Sequence, residues 1–194
     1  MAKLYDFKSL EKEILVDRFK TIPLMDPWIA SVIENYIYQN IVEYYSNGQL
    51  KLKYTTKFGE KHGEYIEWYP EGQIGARTNY IDGQLDGMFT TWYPNGAIRE
   101  TSEYSRGKRN GYSKTYYVDG VPKNQSLYID NHLNSLYYEW YSSGNLSLSC
   151  SYKNGQLDGT YKEYYINGNF KLESQYSSGA LLSTKEYNTL GREI

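Results

Sequence analysis

The chain has 194 residues, with 21 Lys and Arg against 23 Asp and Glu, two His, one Cys, 17 Gly and 24 Tyr. A net charge of -2 implies no broad basic face and argues against a nucleic-acid footprint, while a single cysteine excludes an internal disulfide and a cysteine-based structural zinc site. No apolar run approaches the roughly 18 residues of a membrane-spanning helix, and the charged start MAKLYDFKSLEKE lacks the apolar centre of a secretory leader. We therefore expect a soluble, cytoplasmic protein in which the sequons at Asn124 and Asn145 go unused.

Residues 1–40 read as a separate helical segment. Phe7, Leu10, Ile14 and Phe19, interspersed with Lys and Glu, predict an amphipathic helix over residues 6–20. Pro23 and Pro27 break it. A second helix is predicted from Asp26 or Pro27, with Asp26 as cap and Pro27 in the first turn, through Trp28, Ile29, Val32, Ile33 and Tyr36 to Ile37. One reading has this pair capping the first open edge of a repeat array. The other has it recruiting a partner: Ile22, Pro23 and Leu24 followed by the apolar helix are similar to an F-box-like segment, which implies a ubiquitin-ligase adaptor with the rest of the chain as substrate receptor.

From residue 41 to 183 the sequence repeats. Gly48, Gly72, Gly96, Gly120, Gly144 and Gly168 are each 24 residues apart, and further glycine ladders run through Gly59, Gly83, Gly107, Gly155, Gly179 and through Gly63, Gly87, Gly111, Gly159. Such a period marks stacked supersecondary units. Tyr45, Tyr69, Tyr93, Tyr117, Tyr141 and Tyr165 share one column, preceded by Tyr44, Trp68, Trp92, Tyr116, Trp140 and Tyr164. Another column runs Tyr80, Tyr104, Tyr128, Tyr152, Tyr176.

Within a unit, Ile74, Ala76, Thr78 and Tyr80 alternate with Gly75, Arg77 and Asn79, which is strand patterning. Residues 87–93 are aromatic and β-branched and read as a second strand. The stretch DGQLDG at 82–87 reads as the turn between them, and PNG at 94–96 as the turn between units. A helical array fails, because three glycines per unit would each cost about 1 kcal/mol in a helix. The fold expected is a mainly β, elongated single-layer antiparallel meander of six 24-residue hairpins with an N-terminal helical cap, on the order of 55 Å long. The fourth unit departs from the pattern, with Asn131 and Ser135 at glycine positions and Pro122 at a strand start, so a bulge and a bend are expected midway. Residues 184–194 begin a seventh unit and suit an edge guard.

The pattern Y-x-x-N-G-x-L, as from Tyr44, then N-G-x-L-D-G-x-Y and a closing aromatic pair, as over residues 154–165, resembles the MORN repeat in its variant form. The resemblance covers residues 41–183. It implies an elongated sheet of hairpins and a role in dimerisation, protein binding or phospholipid binding; the variant form occurs in bacterial antitoxin-like proteins and in giant-virus arrays.

Each would-be catalytic residue can be tested against its column. Cys150 aligns with Thr78, Ser102, Ser126 and Ser174, which marks a small inward residue. His62 and His132 fall at turn positions, and Glu67, Glu139 and Glu163 share a strand-face column with Thr91 and Thr115. A nucleophile needs an oriented base, and none is evident, so neither enzyme activity nor a cofactor or metal is expected. Two binding surfaces remain. Trp68, Trp92, Tyr116, Trp140 and Tyr164 form an aromatic row suited to a protein partner or a second copy of the chain. Arg106, Lys108 and Arg109, with Lys57 and Lys61 about 19 Å away by strand spacing, form a basic loop edge suited to anionic headgroups or an acidic partner.

Overall fold

The computed structural model describes residues 27–194. The helix expected over residues 6–20 and the start of the F-box-like segment lie outside the described residues. The second expected helix is present as α1 (Pro27–Ile37), with Pro27 in the first turn, where its missing N–H forfeits no hydrogen bond. Ile37 is buried, and its carbonyl accepts the Phe58 amide at 2.8 Å, which ties the helix end to the first hairpin. Trp28, Val32 and Tyr36 on the helix are exposed.

From there the chain is the expected antiparallel meander. It runs β1 (Tyr38–Tyr44), β2 (Leu50–Lys57), β3 (Glu60–Trp68), β4 (Ile74–Ile81), β5 (Gln84–Leu85), β6 (Gly87–Trp92), β7 (Ile98–Ser105) and β8 (Lys108–Tyr116). It continues through β9 (Pro122–Ile129), β10 (His132–Leu133), β11 (Ser135–Trp140), β12 (Leu146–Lys153), β13 (Gln156–Tyr164), β14 (Phe170–Ser177) and β15 (Ala180–Glu186). All belong to one sheet in sequence order, with the short β5 and β10 completing the hairpins of β4 and β9.

The segment 82–87, read from sequence as a single turn, resolves into three pieces. Asp82 and Gly83 form a two-residue turn with φ of 46° and 78°, as a tight hairpin matched to strand twist requires. Gln84 and Leu85 then pair back onto Ile81 and Tyr80. Finally Asp86, whose amide donates to the Asn79 carbonyl at 3.0 Å, and Gly87, at φ 95° and paired with Tyr104, form a bulge against β4. In the fourth unit Asn131 and Ser135 adopt the glycine conformation, at φ 70° and 71°. The bulge expected at Pro122 is present, and it is not special to the fourth unit. Pro122 sits at a register shift between Thr115 and Tyr116 that recurs in the other units, such as Glu67/Trp68 and Glu163/Tyr164. A first-strand position at a recurrent bulge needs no N–H from proline.

A single sheet has little interior, and only Ile37, Ile66, Ala76 and Cys150 are buried hydrophobics among the described residues. Burial concentrates in one small residue per unit: Thr78, Ser102, Ser126, Cys150 and Ser174 are at most 4% exposed. A ring lies across the ladder from most of them, as in Tyr65 with Thr78, Phe89 with Ser102, Tyr137 with Cys150 and Tyr161 with Ser174. Small beside large lets the rings lie over the sheet, where cross-strand pairs stabilise it. In the third hairpin the ring is replaced by Ser113, whose hydroxyl meets that of Ser102 at 2.7 Å.

Units are joined by side chains as well as by the ladder. The hydroxyl of each column tyrosine donates to the carbonyl of the aromatic one unit on: Tyr45 to Trp68, Tyr69 to Trp92, Tyr93 to Tyr116, Tyr117 to Trp140 and Tyr141 to Tyr164, at 2.7 to 2.9 Å. Tyr165 makes the same bond to Tyr187, so the incomplete seventh unit still receives its link. At the opposite ends of the strands the hairpin turns stack through backbone bonds, as from Gly83 to Lys61 and from Gly107 to Leu85 at 2.8 Å.

Candidate interaction surface

The two faces of the sheet carry different chemistry, and alternation along β11 and β13 separates them. On one face Tyr137 donates to Glu139 at 2.6 Å and Tyr161 to Glu163 at 2.9 Å, and Tyr65 likewise donates to Glu67. On the other, the rings of Tyr138 and Trp140 lie 5.7 Å apart, and Tyr164 meets Phe170 at 5.3 Å.

The first, or tyrosine, face holds two ring columns in edge contact: Tyr65 with Tyr80, Phe89 with Tyr104, Tyr137 with Tyr152 and Tyr161 with Tyr176, at 5.7 to 6.2 Å. Burial, then the hydrogen bond to the neighbouring glutamate, raises the ionisation of Tyr65, Tyr137 and Tyr161 well above the ordinary phenol range. A third column runs beside them: Lys51, Gly75, Arg99, Lys123, Ser147 and Lys171. Lys51 pairs with Glu43 at 3.1 Å and Lys171 with Glu163 at 2.7 Å. That hydrogen bond from Lys171, together with its charge, holds the Glu163 carboxyl below its usual range.

Sequence reasoning singled out the other face, and it passed over this one. Trp68, Trp92, Tyr116, Trp140 and Tyr164 are each half-buried, and their carbonyls receive the tyrosine hydroxyls described above. The tyrosine-face signal was present in the repeat columns as a coupled exchange. Where the ring position is Tyr (65, 137, 161), the residue two further on is Glu, and where it is Phe89 or Ser113 that residue is Thr91 or Thr115. Over these five units the phenol and its carboxylate acceptor change together, although the first unit carries Glu43 after Ile41.

The basic loop residues do not form one edge. Lys108 pairs with Asp130 at 3.4 Å and Lys57 with Asp82 at 3.9 Å. Lys61 lies over the rings of Tyr54, Tyr65 and Tyr80, 4.2 to 5.1 Å from their centroids. Arg109 turns onto the tyrosine face, where it donates to the Tyr104 hydroxyl at 3.0 Å and pairs with Glu100 at 3.2 Å. It also lies over the Tyr128 ring, 5.4 Å from its centroid. Arg106 is exposed at the turn, and its amide is bound by Asp86.

The two histidines and the cysteine lie apart from one another in the repeat array. His62 contacts Asp82 at a hairpin end, and His132 folds onto the Asp130 carbonyl. Cys150 is 1% exposed, and burial pushes its thiol up to about 11. Among the described residues no group of three or more His, Cys, Asp and Glu is placed to hold a metal ion, and no helix is long and apolar enough to cross a membrane.

The family description "MORN repeat variant" matches residues 41–57, 61–82, 85–105 and 133–154. The array belongs to the MORN repeat family, in its variant form. MORN repeats are non-enzymatic modules that generally mediate interactions with proteins or membranes. The matched segments stop at residue 154, yet the same hairpin geometry continues through β13, β14 and β15. They also skip residues 106–132, which include Asn131 at one altered glycine position of the fourth unit, whereas Ser135 at the other lies inside the last matched segment. No curated protein matches the sequence. Among solved structures, a mutant of S. aureus TarM in complex with Fondaparinux, alpha-GlcNAc-glycerol and UDP is similar over 76% of this chain at 10% identity, with a TM-score of 0.33. A second TarM crystal structure matches 74% of the chain at 11% identity and a TM-score of 0.31. The chain spans 27% of each of those proteins.

Proposed function

We propose that this MORN array is a non-enzymatic protein-binding module that receives an extended segment of a protein partner along its tyrosine face. The role is that of an adaptor, or of an antitoxin-like neutraliser that covers a partner. The observation that supports this reading is a pair of columns of half-buried rings, one of them interrupted at Ser113, interleaved with carboxylates, lysines and an arginine, which no other element of the described residues covers. Tyrosines supply large, stiff, amphipathic contact area, and charges beside them fix register. The membrane reading has less support, since four of the five basic loop side chains, Lys57, Lys61, Lys108 and Arg109, are already held by carboxylates or rings.

The test is capture of the tagged chain's partner from its native cells, compared between two double variants. Phe89→Ala with Tyr137→Ala should lose the partner, whereas Trp92→Ala with Trp140→Ala, on the opposite face, should retain it. Far-UV circular dichroism must show an intact sheet in both. Retention in both variants, together with liposome binding that Arg106→Glu abolishes, would overturn the proposal in favour of a membrane role.

A further inference from the structure

The lysine column on the tyrosine face has two receptors for each basic side chain. One is the carboxylate or hydroxyl eight residues earlier: Glu43 for Lys51, Glu163 for Lys171, and Thr91 for Arg99, whose Nε donates at 3.3 Å. The other is the tyrosine ring six residues earlier, which Lys123 overlies at 5.7 Å from the Tyr117 centroid. In the second unit both receptors are present, as Glu67 and Tyr69, but the column residue is Gly75.

The backbone does not demand glycine there. Gly75 lies outside the left-handed region, and an added Cβ would meet only the Tyr69 ring, at 3.3 Å. The place of the missing side chain is instead an open groove of about 520 Å³ lined by Tyr45, Tyr65, Glu67, Tyr69, Gly75 and Arg99. Glu67 is exposed and accepts the Tyr65 hydroxyl, but it makes no ion pair among the described residues. Lys51 and Arg99 also line the groove, but each is held at its rim, Lys51 by Glu43 and Arg99 by Thr91.

We propose that the groove over Gly75 is a socket for a lysine or arginine side chain of the partner polypeptide, its charge at Glu67 and its stem along the Tyr69 ring. The inference rests on the reading that the tyrosine face receives a partner segment, and it names the chemistry of one contact. The array's own lysines define the shape: the second unit keeps the mould and omits the casting. An exposed ion pair and a cation over a ring each change affinity by only a few-fold. The socket therefore sets where a basic partner segment lies, while the rings along the face supply most of the contact.

The experiment titrates a fluorescently labelled deca-lysine peptide against the full chain at low ionic strength, by anisotropy, with deca-glutamate as the opposite-charge probe. Glu67→Gln should weaken deca-lysine binding about fivefold, and Gly75→Met, which fills the socket without adding charge, should do the same. Glu64→Gln removes an equal charge from the same strand, where Glu64 pairs with Arg77 at 3.2 Å on the other face, and should change binding less than about twofold. Circular dichroism checks each variant, and if Gly75→Met fails to fold, Glu67→Gln against Glu64→Gln decides alone. Absence of deca-lysine binding, equal weakening by the two glutamine variants, or deca-glutamate binding that Gly75→Met abolishes would each overturn the socket. A cellular partner lost with Phe89→Ala and Tyr137→Ala but kept by Glu67→Gln and Gly75→Met would also overturn it, and would leave the wider proposal standing.

Discussion

Ser135 and Asn131 both occupy glycine positions in the fourth unit, yet they are not equally strained. The Asn131 side chain accepts the Arg109 amide at 2.7 Å, so its left-handed conformation is offset by a hydrogen bond and by the tolerance of asparagine for that region. Ser135, at φ 71°, is exposed. Ser135→Gly should therefore stabilise the fold by about 1 kcal/mol, while Asn131→Gly should be close to neutral. Urea denaturation of the two variants checks this, and a larger gain at Asn131 would contradict the account. The glycine columns made the positions of these turns legible, because only a residue free to take positive φ recurs so strictly. They did not reveal that one DGQLDG stretch contains both a two-residue turn and a bulge, since glycine serves both and its spacing looks the same for either.

Each hairpin is held to the next by a tyrosine hydroxyl, and the value of that bond can be isolated. Tyr93→Phe removes only the donor to the Tyr116 carbonyl and should cost about 1 kcal/mol. Tyr112→Phe, at a residue 52% exposed on the same strand as Tyr116, should cost little. Equal melting of the two variants would show that ring packing alone joins the units. The tyrosine column was visible in the sequence, but its purpose was not, because the acceptor is a backbone carbonyl that leaves no residue signature. The lysine and glutamate columns were legible in principle, through the paired exchange of Tyr65 and Glu67 for Phe89 and Thr91. Reading each column separately concealed it.

For the whole molecule, the half-buried tyrosines make alkaline pH the vulnerable side. Tyr65, Tyr137 and Tyr161 have ionisation raised in the folded state, first by burial and then by Glu67, Glu139 and Glu163. A raised folded value contributes stability that is fully present below the ordinary phenol value of 10.0 and is lost as pH rises beyond it, because the unfolded chain gives up these protons first. Tyrosinate absorbance and circular dichroism, followed upward from about pH 9, should show sheet loss and ionisation together. Independent titration of all tyrosines near the ordinary value, with the sheet intact, would contradict this. Geometry at the same scale has a further consequence. A unit contributes two strands, so equivalent points along the tyrosine face recur about every 10 Å, and an extended polypeptide covers that distance in about three residues. If a partner lies along the tyrosine face as proposed, the array acts as a ruler graduated in triplets: an extended chain advances about three residues per unit, and each duplicated unit lengthens the readable segment by one mark.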